Sequence, residues 1–244
     1  MLRRLLPAFG LLVAMVGEGQ ADCGLQRFAE VDFAVCVIDP AKVTLETFNL
    51  DQTGEPFARF GRLAAELAEE GKTLVFATNA GMFDDNLRPI GLYVEGGEVL
   101  KKLNRRNGGG NFHLKPNGVF WVDKGKAGVI ETEVFAKSGR KPAFATQSGP
   151  MLVINGVLHP KFSVDGASRK IRNGVGVTKN GEVVFAISEG PINFHDFARL
   201  FRDQYDCPNA LFFDGSLSGL YGKDVGQRGG FLPLGPMVGA YEMK

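Results

Sequence analysis

Four turn signals, each set between apolar runs, constrain this chain more than any other feature. Gly96-Gly97 separates residues 92–95 from 98–100, and Asn155-Gly156 separates 151–154 from 157–158. Lys179-Asn-Gly181 lies between 176–178 and 182–187, and Lys124-Gly-Lys126 lies between 118–123 and 127–130. Asn-Gly and Gly-Gly supply the positive φ angles that tight hairpin turns need. A chain punctuated in this way, without sustained βαβ alternation, folds as a meander of antiparallel strands. The expected fold class is α+β: a twisted, largely antiparallel sheet built from hairpins with a few packed helices. The 33 glycines and 20 phenylalanines agree with many turns and a sheet-rich core.

Two segments break the hairpin pattern. Residues 56–70 carry phenylalanine, leucine and alanine at three- and four-residue spacing and end at Gly71, which predicts an amphipathic helix. Residues 194–205 carry Phe194, Phe197, Leu200, Phe201 and Tyr205 on one stripe behind the N-cap candidate Asn193, which predicts a second. Further strands are expected over 31–38, 43–48, 74–78 and 210–214. The second helix joins a strand ending at Ser188-Glu189 to one ending at Asp214. If those two strands run parallel, both carboxylates reach one edge of the sheet.

The first 21 residues have the pattern of a cleavable signal peptide. Arg3 and Arg4 precede an apolar stretch over 5–16 that is short for a bilayer span, and Gly19-Gln-Ala21 offers small residues for cleavage. Residues 22–244 then form one domain, placed in the periplasm or secreted, without stable membrane insertion. An oxidising compartment makes a Cys23–Cys36 disulfide reasonable, but three cysteines allow other pairings and each leaves one thiol over. Three histidines without metal-ligand spacing argue against a zinc site, and a net charge of +1 gives nucleic acid no electrostatic footing. No cofactor is called for, and assistance by a divalent cation stays open, with Asp84 and Asp85 as loop carboxylates. His113 and His159 read as structural, and Gly108-Gly-Gly-Asn111 as one loop.

Polar residues sit beside apolar strands in four places: Thr78-Asn79-Ala-Gly81, Thr146-Gln147-Ser148-Gly149-Pro150, residues 169–176, and Asp214-Gly215-Ser216-Leu-Ser218. Each combines hydrogen-bonding side chains with glycine, as a site needs where backbone approaches a ligand. A serine hydrolase is disfavoured, because no G-x-S-x-G elbow is present.

These segments, in this order, resemble the phosphodiester glycosidase family. The resemblance rests on Arg172-Asn-Gly-Val-Gly176, the following Lys-Asn-Gly hairpin and helix, and Asp214-Gly-Ser-Leu-Ser218. It is strengthened by Asn79-Ala-Gly81-Met-Phe83 and Ser148-Gly149-Pro150, and covers roughly residues 73–221. Where many members carry Asp-Gly-Gly-Gly-Ser, this chain has Asp214-Gly-Ser-Leu-Ser218. The resemblance implies hydrolysis of a sugar 1-phosphodiester in envelope or extracellular glycans, releasing sugar and a phosphomonoester. Asp214 is then the first catalytic candidate and Glu189 the second. Arg172 would grip phosphate oxygens. Asn79, Gly81, Gln147, Ser148, Gly149, Gly215, Ser216, Ser218 and His195 would complete the substrate-binding surface. The altered segment leaves a non-catalytic carbohydrate- or phosphoglycan-binding protein as the alternative.

Overall fold

The computed structural model describes residues 21–215 and 217–243. The expected signal peptide, apart from Ala21, and the candidate Ser216 lie outside the described residues. Strands are numbered along the chain. The largest sheet contains β1 (Asp22–Phe28), β2 (Val31–Ile38), β10 (Met151–Ile154), β11 (Val157–Leu158), β12 (Asn173–Val177), β13 (Val183–Ser188) and β14 (Asn209–Asp214). Its spatial order is β1-β2-β13-β12-β14-β10-β11. A second sheet has β3 (Leu45–Phe48), β4 (Lys72–Asn79), β15 (Gly219–Gly222), β16 (Gly226–Gly229) and β17 (Met237–Met243), in the order β16-β15-β4-β17-β3. The third has β5 (Tyr93–Glu95), β6 (Glu98–Lys101), β7 (Gly118–Asp123), β8 (Lys126–Glu131) and β9 (Phe144–Ser148), in the order β6-β5-β9-β7-β8. Pairing is antiparallel throughout. With helices α1 (Phe60–Glu69), α2 (Thr132–Lys137) and α3 (Phe194–Arg199), this is the expected α+β class.

Each of the four turn signals closes a hairpin, as the positive φ at Gly96, Gly97, Asn155, Gly156 and Gly181 requires. Cys23 and Cys36 face each other across β1 and β2 and form a disulfide, while Cys207 is a buried thiol. The second helix is shorter than its stripe: α3 stops at Arg199 and the chain continues as wider π-type turns over Leu200–Gln204.

The sheets meet around Phe76, Phe120, Phe185 and Phe213, whose rings contact one another in the main core. The opposite face of the large sheet is covered by α3, with Phe33, Phe197, Phe201 and Phe212 fully buried there. That close cover explains Gly176. A side chain there would stand 2.7 Å from both the Phe201 ring and Cys207 Sγ, so this motif glycine admits the helix rather than a ligand. α1 packs Phe60, Leu63 and Leu67 against the second sheet.

The topology delivers the site. β13 and β14 both pair antiparallel with β12, which lies between them, so they run parallel to each other. The ends of β13 and β14 and the start of β12 therefore share one edge, bringing Ser188, Glu189, Arg172 and Asp214 into one neighbourhood.

Candidate active site

The centre of this edge is Asn173, a residue type depleted in strands and here fully buried. Its Nδ2 donates to Thr78 Oγ1 at 2.9 Å and to Asn79 Oδ1 at 2.7 Å. Its Oδ1 accepts from Asp214 N at 3.0 Å and from Ser218 Oγ at 3.2 Å. Asn79 Oδ1 also accepts from Gly219 N at 2.9 Å, and Thr78 Oγ1 donates to Gly219 O at 2.7 Å. This network ties β4 of the second sheet to β12 and β14 of the first, and so holds the backbone on either side of Asp214. Asn79 Nδ2 is buried with no hydrogen-bond partner, because the two donors aimed at Oδ1 dictate which way the amide turns.

Removing the hub takes the acceptor from the Asp214 amide and one donor each from Asn79 Oδ1 and Thr78 Oγ1. Asn173→Ala is therefore expected to destabilise the fold by about 3 kcal/mol. For a domain of this size, that appears as a melting temperature lower by roughly 6–12 °C, read by calorimetry. A fall under about 2 °C would show that the network does not carry the site.

Arg172 precedes Asn173 and, by strand alternation, its side chain leaves on the other face. It is 1% exposed. Nε donates to Ile192 O at 2.9 Å, Nη2 donates to Ser168 O at 2.9 Å, and the guanidinium lies 3.6 Å from the centre of the Phe194 ring. Its backbone N–H donates to Ser188 Oγ at 3.0 Å. No carboxylate forms an ion pair with it among the described residues. Burial lowers its pKa from the ordinary guanidinium value to about 10. A buried cation that binds only neutral groups is costly, and it is well suited to an anion from outside. Gly215 stands on its outer side, where a β-carbon would sit 3.6 Å from Arg172 Nη1.

Beyond Gly215 opens a cavity of about 470 Å³. Ser188, Glu189, Gly215 and Ser218 line it together with Arg228 and an apolar wall that includes Leu217, Phe231 and Leu234. Glu189 pairs with Arg228 at 3.1 Å. Asp214 sits half-buried beside this cavity. Its Oδ1 accepts from Gly215 N, and its backbone O accepts from Ser218 Oγ at 2.8 Å. Glu189, Gly215 and Ser218 therefore meet around one opening, with Arg172 and Asp214 adjoining it.

Other candidates point elsewhere. Gln147 Oε1 accepts from Leu92 N and Asn104 N, and its Nε2 donates to Asn104 O and Thr132 Oγ1, so this amide anchors the loop at Asn104 rather than a ligand. Ser148 is fully buried and donates to Phe213 O at 2.9 Å. Gly149 packs against Asn117, and Gly81, at φ +112°, packs against Ser148. The Asn79 side chain belongs to the buried network, not to the cavity surface. His195 pairs with Asp196 at 3.2 Å in the first turn of α3 and does not line the cavity. Asp84 Oδ1 accepts from Asn86 N and Arg88 N and shapes its own turn. Among the described residues, no group of three or more His, Cys, Asp or Glu is placed to hold a metal ion.

Sequence reading did not single out Asn173, Ser168 or Arg228, named Thr78 only as part of a polar segment, and took Phe194 and Ser188 as a helix stripe and a strand end. An asparagine beside the motif arginine, inside an otherwise apolar strand, was the signal for the first of these.

Comparison with known proteins identifies the family. The phosphodiester glycosidase family profile matches residues 72–227, which run from the start of β4 into β16 and include the whole edge described above. The chain belongs to the phosphodiester glycosidase family. It is also 34% identical over 232 residues to the uncharacterised protein YigE of Escherichia coli K12, covering 95% of this chain and 88% of that protein. Its fold is similar to the catalytic domain of zebrafish N-acetylglucosamine-1-phosphodiester alpha-N-acetylglucosaminidase. The TM-score is 0.66 at 14% identity, over 94% of this chain and 85% of that one. A hypothetical protein from Synechocystis shares the fold with a TM-score of 0.56 at 14% identity, over 90% of this chain and 61% of that one. Membership supports a phosphodiester glycosidase-like hydrolase at the level of the family. The departure at Asp214-Gly-Ser-Leu-Ser218 places Leu217 in the cavity wall, where it also packs against the cluster under α1.

Proposed function

We propose that this protein is an exported hydrolase that cleaves sugar 1-phosphodiesters of envelope or extracellular glycans. The carrying observation is Arg172: a buried guanidinium held by neutral groups, behind a glycine that opens to the cavity. A phosphodiester brings one negative charge and two non-bridging oxygens, the anion this guanidinium lacks. With the phosphate seated there, the sugar C1–O bond is directed toward Asp214. Water adds to C1, and the phosphate oxygen leaves with the bonding electrons as a phosphomonoester. A phosphate is already a good leaving group, so the main requirement is a carboxylate to stabilise oxocarbenium charge, attack C1 or activate the water. Asp214 takes that role. Glu189, paired with Arg228, lines the cavity as the second carboxylate. The leader pattern over residues 1–21 and the Cys23–Cys36 disulfide support export.

Incubation of the purified protein with a panel of glycosyl 1-phosphodiesters tests this reading. Free sugar and phosphomonoester are expected in equal amounts for at least one compound. Binding without turnover across the panel would replace the hydrolase by a phosphoglycan-binding protein, the outcome that Leu217 in the wall would explain.

A further inference from the structure

The cavity beside Gly215 does not end there. Leu217 and Leu232 also line a second cavity of about 450 Å³, whose far wall includes Phe83, Asp85, Leu87 and Pro233. Asp85, Leu87 and Pro233 in turn line a third cavity of about 820 Å³, which reaches Glu55, Arg62, Arg88 and Lys101. Each cavity alone has the size that accommodates a small-molecule ligand. Three in a row exceed what one sugar phosphodiester can fill.

The walls alternate in character along this path. Phe231, 75% exposed, and Leu232 present apolar faces to the first cavity. The turn between Phe83 and Pro89 forms the middle wall. Its shape is held by the bridge between those two residues and by the Asp84 carboxylate, which accepts from the Asn86 and Arg88 amides. At the far end Arg62 is paired with the buried Asp51. Arg88 and Lys101 are exposed and form no ion pair among the described residues. Glu55 and Asp85 line the same space, so the far end suits separated phosphates and hydroxyls better than a dense polyanion.

We propose that the three cavities form one cleft for a polymer of sugars joined by phosphodiesters, with Arg88 and Lys101 holding a phosphate beyond the one that is cleaved. This rests on the hydrolase reading above and extends it from a single linkage to a chain. Carboxylates at Glu55 and Asp85 accept from sugar hydroxyls around the second phosphate position.

Synthetic glycosyl phosphate oligomers with one and with three phosphodiester linkages test the proposal. The three-linkage oligomer is expected to show kcat/KM about tenfold above the single-linkage compound, and the ratio is expected to fall to within about twofold of one when Arg88→Ala and Lys101→Ala are combined. Lys101→Glu alone lowers the ratio in the same direction and guards against a folding defect in the double variant. A wild-type ratio near one, or a ratio unmoved by these variants, overturns the proposal. Failure of the hydrolase reading shows differently, as no turnover of either compound. Calorimetric binding of the three-linkage oligomer then decides: roughly tenfold weaker binding in the double variant upholds the cleft, and absent or unaltered binding overturns it.

Discussion

Asp214→Asn is expected to lower kcat on a glycosyl phosphodiester by about 10³-fold, the middle of the range for loss of a positioned acid–base or charge-stabilising group. The substitution keeps the shape of the side chain and an oxygen to accept from Gly215 N. It leaves the two backbone bonds to Asn173 and Ser218 intact. The melting temperature should therefore stay within about 2 °C of the parent, because less than ~1 kcal/mol of folding energy changes. Turnover near the parental rate would remove Asp214 from the mechanism. A large fall in the melting temperature would mean the carboxylate holds the loop rather than the reaction.

Arg172→Met should separate function from stability in the opposite way to an ordinary core substitution. At neutral pH the buried charge carries a desolvation penalty of about 3 kcal/mol, the equivalent of lowering the guanidinium pKa from its ordinary value to about 10. The sign follows from linkage: below about pH 10 the group is charged in both folded and unfolded chains, so the penalty is fully present. It is relieved only as pH climbs from about 10 toward the ordinary guanidinium pKa, where the folded chain gives up its proton first. Methionine removes that penalty and keeps an apolar side chain against Phe194 and Phe212. Ile192 O keeps a second donor, the amide of Lys170 at 3.2 Å. The variant is expected to lose less than about 1 kcal/mol of stability in urea unfolding. Affinity for a phosphodiester is expected to fall by about 10²–10³-fold, as for truncating one side of a buried charge pair. A loss of several kcal/mol in stability with unaltered affinity would make Arg172 a structural residue.

Local chemistry made much of this fold legible. The four hairpins follow from turn residues that adopt positive φ, and α1 and α3 from stripes with a helical period. β1 and β9 were harder to see. β1 (Asp22–Phe28) is a half-exposed strand at the sheet edge with several polar residues and no clean alternation. β9 (Phe144–Ser148) carries Thr146, Gln147 and Ser148, which suggested a ligand-facing loop. In fact Thr146 Oγ1 donates to Ala80 O and Ser148 Oγ to Phe213 O, so these hydroxyls satisfy neighbouring backbone inside the core. A serine that binds substrate and a serine that caps a buried carbonyl have the same letters around them. Only the partner tells them apart, and that partner is 65 residues away for Ser148.

The same reasoning divides what is known of the site. Sequence alone determined the turns, the two amphipathic helices, the antiparallel class and the order of the family's segments, because each depends on residues within a few positions of one another. It also placed Glu189 and Asp214 near one edge, provided the two strands run parallel, through a strand–helix–strand connection whose geometry is strongly restricted. Tertiary structure decided the rest. It made Asn173 the hub, through bonds to Asn79 and Thr78 that span 94 and 95 residues, and it withdrew Gln147, Ser148 and Asn79 from the cavity surface. It left Arg172 buried among neutral groups. The physical reason is that whether a polar or charged side chain is satisfied depends on what long-range packing brings to it, and no local pattern encodes that partner.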